Sequence, residues 1–143
     1  MPSNVKNIAK GRMMSGDMDL NADDIRAILC MTSTTADTDV DADNTSGYTL
    51  DEMDGSGYAR QALANEAVNV DDANDRAEFD ADDVTWNSLG NGTRQVQGVL
   101  LHEHITNDAG SFPLAWVEFA GTINPGGSNL TVQWNAEGIV QLT

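Results

Sequence analysis

Residues 75–86 read Asp-Arg-Ala-Glu-Phe-Asp-Ala-Asp-Asp-Val-Thr-Trp, and this stretch restricts the fold more than any other. Ala77, Phe79 and Ala81 alternate with Arg76, Glu78, Asp80 and Asp82. A period of two turns one set of side chains towards a core and the other towards water, which describes a half-buried strand. The alternation pauses at Asp82 and Asp83 and resumes with Val84 and Trp86. A bulge or corner fits that pause, because Asp accepts hydrogen bonds from nearby backbone amides. Aspartate is also a poor strand former, and like charges on one strand face repel. This surface therefore calls for water, a cation or a basic partner.

Strand signals recur on both sides. Residues 24–31 form an apolar run leading into four Ser/Thr residues; residues 58–70 read as one long strand ending in the alternation Val68-Asn69-Val70. Residues 71–74 form a turn, and Gly90-Asn91-Gly92 turns the chain again. Residues 95–105 are apolar on both faces, so both should be covered. A hairpin-type turn at residues 107–110 leads to a strand over 112–120. Pro125-Gly126-Gly127 breaks that strand, and short strands over 130–135 and 139–142 close the chain. Turns every eight to twelve residues or so predict an all-β fold, an antiparallel sandwich, jelly-roll-like, or a small barrel. Residues 36–56 are polar and predict a long loop with one helical turn over 50–53.

Charge decides the class of partner. The 143 residues hold 7 basic and 23 acidic side chains, a net charge of −16. Phosphate contacts need Lys and Arg, so nucleic acid and anionic membranes are excluded as direct partners. No apolar run approaches the roughly 20 residues of a membrane span, and no signal peptide opens the chain, so synthesis in the cytoplasm is expected. The single cysteine, Cys30, cannot form an intrachain disulfide and reads as a buried hydrophobe. Lys6, Lys10 and Arg12 all precede Asp17, the first acidic residue. The expectation is an extended basic arm over residues 1–19 on a single domain over 20–143. About 16 extended residues reach some 50 Å, enough for these three residues to bind a neighbouring subunit or another partner.

Motifs for chemistry are sparse. Asp41, Asp43, Thr45, Thr49 and Glu52 follow the oxygen-ligand spacing of an EF-hand loop, but Ser46 stands where glycine is required. The stretch reads as a solvated acidic loop, with Asp41, Asp43 and Glu52 as calcium candidates. His102 and His104 share one strand face, as in zinc sites, yet they are the only two histidines. They read as a polar intersubunit face titrating near pH 6 to 7 rather than a metal centre. Trp86, Trp116 and Trp134 read as core in preference to a sugar platform. No nucleophile elbow, phosphate loop or dinucleotide motif occurs. Neither enzymatic activity nor a cofactor is expected.

Several runs resemble a known family. They are Lys10-Gly11 with Gly16, Asp19-Leu20, residues 24–29, Gly55-Ser56-Gly57-Tyr58, and Val70-Asp71 followed by residues 73–86. Leu114, Phe119, Gly127, residues 130–135 and Gly138-Ile139 complete the set. In these the chain is similar to small virion structural proteins of tailed bacteriophages. It departs from them in the longer acidic loop over 36–56 and in His102-Glu103-His104. The resemblance implies a capsid decoration (cement) protein on the outer surface of the virion head, clamping neighbouring major capsid proteins, commonly as a homotrimer. A tail, neck or fibre-base component is the alternative within that family. A carbohydrate- or calcium-binding adhesion module is the alternative outside it.

Overall fold

The computed structural model describes residues 3–143, and Met1 and Pro2 lie outside the described part. Its elements in chain order are β1 (Asn4–Val5), α1 (Asn7–Ser15), β2 (Ile25–Met31), β3 (Gln61–Ala62), β4 (Ala67–Asp71), β5 (Arg76–Asp80), β6 (Val84–Leu89), β7 (Val96–Glu103), β8 (Phe112–Ile123), β9 (Ser128–Val132) and β10 (Val140–Leu142). The strands form three sheets of order β1-β8-β7-β2-β3, β10-β5-β4 and β6-β9, each pairing antiparallel, with no closed barrel. The all-β, sandwich-like fold expected from the sequence is the one observed.

The two small sheets pack over one face of the large sheet. Ile25, Leu29, Val99, Leu101 and Leu114 meet Phe79, Val84, Trp86, Val132 and Val140 in one buried cluster. The opposite face carries Ile28, Cys30, Leu100 and Trp116, and residues 36–50 cover it through Ala36 and Tyr48, with Ala42 and Leu50 packed alongside. Two covered faces explain why β2 and β7 are apolar runs rather than alternating ones. Burial pushes the Cys30 thiol up to about 12. Gly98 is needed where β7 passes Trp116: a Cβ there would lie 2.5 Å from the indole ring and from the Val117 carbonyl.

The pause within residues 75–86 is a corner between sheets, since β5 ends at Asp80 and β6 begins at Val84. Asp83 holds the corner by accepting the Trp134 backbone N–H at 3.0 Å, and Asp82 accepts from the Asn65 amide at 2.6 Å.

Three local expectations are corrected. The single strand over 58–70 is two, β3 and β4. Asn65 between them has φ 54°, a left-handed conformation that no strand continues through. The helical turn expected over 50–53 is absent: Asp51 is left-handed (φ 46°) and its O accepts from Met31 N at 2.7 Å, Met53 N donates to Leu29 O at 2.9 Å, and Glu52 bridges Cys30. A three-residue 3-10 turn lies at Thr45–Gly47.

The third concerns the amino-terminal segment, which is not an extended arm in its described part. Asn4 and Val5 pair with Trp116 and Ala115, and Lys6 N donates to Leu114 O at 2.9 Å. Helix α1 follows, with Ala9 fully buried. It ends at Gly16 in the left-handed conformation (φ 80°), whose N–H caps the last turn. Nine residues are too few for a stable isolated helix. Docking against the sandwich stabilises this one.

Candidate functional site

Where the seven basic side chains go decides which surfaces are left for a partner. Lys6 is fully buried. Its Nζ donates to the carbonyls of Ala36 at 2.5 Å and Asp39 at 2.8 Å, and lies 5.2 Å from the centre of the Tyr48 ring. Burial lowers its pKa to about 8, against the attraction of Asp39 and Asp37. Lys6 is thus the pin that fastens the acidic loop to the back of the large sheet. It is not available as a contact with another protein.

The arginines are also taken up inside the chain. Arg12 lies 3.7 Å over the Phe112 ring and 3.3 Å from Glu103, so the predicted partner-binding role of Arg12 is met by its own chain. Arg26 pairs with Asp24 at 2.6 Å. Arg60 forks between Glu52 at 2.8 Å and Asp108 at 2.5 Å, and Tyr58 Oη donates to Glu52 at 2.7 Å. Those hydrogen bonds raise the Arg60 pKa and hold the Asp108 carboxyl below its ordinary value. Arg76 meets Glu78 at 2.7 Å, Asp71 at 3.4 Å and Glu137 at 3.5 Å, and Arg94 pairs with Asp51. Of the three residues expected to reach a partner, Lys10 alone is exposed without a carboxylate, its Nζ donating to Asn7 Oδ1 at 3.2 Å.

His102 and His104 do not form an outward face. His102 is fully buried and shares a 3.0 Å hydrogen bond between its Nδ1 and Thr45 Oγ1. Burial, helped by the nearby Arg60 charge, lowers its pKa to about 4. The ring is therefore neutral at physiological pH. The His104 ring stands 5.8 Å away. The error has a physical source: the 3-10 turn at Thr45–Gly47 packs over the strand face that periodicity alone left open.

The calcium candidates are dispersed. Glu52 is held by Arg60 and Tyr58, Asp41 accepts from the Asn7 amide at 2.6 Å, and Asp43 is exposed on the loop. Among the described residues no group of three or more His, Cys, Asp or Glu is placed to hold a metal ion. Trp86 and Trp116 are buried, 1% and 0% exposed, so the tryptophans share no platform.

One surface stands apart, and the sequence reading missed it. Cross-strand register in the β10-β5-β4 sheet makes two apolar rows: Val68, Phe79 and Val140, and beyond them Val70, Ala77 and Leu142. In the first row Phe79 and Val140 reach the core. The second row overhangs it, leaving Val70 75% and Leu142 54% exposed. Val68 is 42% exposed, so the patch holds three of the five large exposed apolar side chains among the described residues, Met14 and Ile105 being the others. Met13 and Leu20 line a shallow recess of about 40 Å³ between helix and sheet, together with Val68 and Leu142. Val68-Asn69-Val70 did show the alternation, but periodicity does not say where a core ends. No family model, curated protein or solved structure matches the chain.

Proposed function

We propose that this protein is a virion structural subunit, a capsid decoration (cement) protein of a tailed bacteriophage that docks on the outside of the head and stabilises the shell. The observation that carries this reading is the overhanging apolar patch of Val68, Val70 and Leu142 on an otherwise strongly acidic molecule. Contiguous exposed apolar surface is characteristic of an interaction face. The resemblance over residues 73–86 and 130–135 supplies the virion, and a charge of −16 favours a place outside the shell, away from packaged DNA.

Docking through the patch replaces docking through a basic arm, since Lys6 and Arg12 are engaged internally. A structural role also agrees with the state of the groups best suited to acid–base work: His102 is buried and neutral, and Glu52 and Asp108 are held by Arg60. The test is quantitative mass spectrometry of purified virions. A copy number comparable with that of the major capsid protein is expected. A handful of copies per particle would overturn the head assignment and favour the tail or neck.

A further inference from the structure

The border of the apolar patch specifies its partner. Asp19 lines the opening beside Met13, Met18, Leu20, Val68 and Leu142, and Asp17 precedes Met18 in the same exposed connection. Asp72 stands exposed in the turn that follows Val70. The Asp17 and Asp19 carboxylates accept from the Ser15 hydroxyl and the Asn21 backbone N–H, and the Arg12 guanidinium donates to the Asp17 main-chain carbonyl at 2.8 Å. Among the described residues none of the three carries an ion pair, because each arginine meets other carboxylates. Arg76, the nearest arginine in sequence to Asp72, is held by Asp71, Glu78 and Glu137. The border therefore carries three carboxylates without an ion pair, with the Arg12 guanidinium held between the Asp17 main chain and Glu103.

We infer that the patch Val68–Val70–Leu142 binds a segment of a different protein in which apolar side chains are flanked by lysine or arginine. This takes the docking face from the function proposed above and adds the chemistry of its partner. Charge complementarity selects the occupant. A second copy would bring the same three aspartates within a Debye length of about 8 to 10 Å, with a net −16 on each body. Anionic lipid is rejected for the same reason. A basic-flanked apolar ridge buries the overhanging row and neutralises the border at once. Strand β4 is also an edge strand, and at Val68 its outward N–H is already bonded to the Asn21 side chain at 2.8 Å. Side-chain contact, not strand addition, is therefore the mode of binding at this position.

The test uses the full chain and three synthetic peptides that share an alternating leucine–valine core and carry two lysines, two glutamates or two serines at each end. Titration calorimetry at low salt should show the lysine-flanked peptide binding at least tenfold more tightly than the glutamate-flanked one, with the preference shrinking as sodium chloride is raised. Asp17→Asn with Asp19→Asn and Asp72→Asn should abolish the preference. Val70→Ser with Leu142→Ser should abolish binding while circular dichroism stays native. Equal binding of all three peptides, no binding, or self-association at low salt by sedimentation velocity would each overturn the inference. The two readings fail separately. A shell-level copy number in virions without a lysine preference leaves docking standing and removes the partner chemistry; a lysine preference with no shell-level copy number does the reverse.

Discussion

Two apolar sheet surfaces lie outside the sandwich core, and the chain treats them in opposite ways. Behind the large sheet, Ile28, Cys30, Leu100 and Trp116 are covered by residues 36–50, an acid-rich loop that hydrophobicity alone would not bring there. Lys6 brings it, through two backbone carbonyls and the Tyr48 ring. The overhanging row of Val70, Ala77 and Leu142 has an acidic border of similar character and, among the described residues, no buried cation that draws a loop across it. The difference between a covered face and an exposed one here is one buried ammonium group. In a chain with 7 basic residues against 23 acidic ones, cations are the scarce component, and their placement decides which surfaces are closed.

The sharpest way to break this comparison is Lys6→Met, which keeps the stem and removes the ammonium. It leaves the Ala36 and Asp39 carbonyls without their donor, so we expect a loss of about 3 to 4 kcal/mol in urea unfolding, with new dye binding at the uncovered face. Unchanged stability would show that the loop needs no pin. The native pin also has a pH signature. Its folded-state pKa, about 8, lies below its ordinary 10.5, so the folded form binds the proton less tightly. Stability should rise with pH from about 8 towards 10, and Lys6→Met should flatten that rise.

Next in size is Arg60→Met. This frees Glu52 and Asp108 from the clasp beneath the same loop, and about 2 kcal/mol should be lost. The loss should shrink in acid as Asp108, whose carboxyl Arg60 holds below its ordinary value, protonates.

His102, whose ring bonds Thr45 of the covering loop, offers a comparable effect. Its folded pKa of about 4 lies below the ordinary 6.5, so the unfolded chain binds the extra proton between those values. Stability should fall as pH drops through this window, by about 2 kcal/mol at pH 5. Chemical unfolding at pH 7 and pH 5 of the native chain and of His102→Asn measures it; equal slopes in the two proteins would refute the assignment.

The smallest effect sharpens the comparison from the other side. Val70→Ser and Leu142→Ser lie on the uncovered face and should each alter stability by no more than about 0.5 kcal/mol. A large loss at either would mean that the overhanging row belongs to the core.

The strands were readable because burial on one or both faces leaves a local periodic mark. That mark placed β2 and β7, and it placed the corner at Asp82 and Asp83 between β5 and β6. Helix α1 left none, since its one buried residue is Ala9 and its stability comes from docking. Lys6 was recognised as a cation, but its partners are 30 and 33 residues away, a separation at which no spacing rule connects a lysine to a carbonyl. His102 failed similarly, its hydroxyl partner being 57 residues distant. The exposed patch depends on how far three strands project past a core, a property of register and length combined.

The inward use of arginine has a further consequence for crowding. With its guanidinium groups turned to its own carboxylates, each molecule presents a field of nearly one sign and gathers mobile sodium or magnesium ions around it. Wherever copies are held close together, those ionic atmospheres overlap and push the bodies apart, so spacing between neighbours follows the electrolyte: loose in dilute solution, tighter as salt is added.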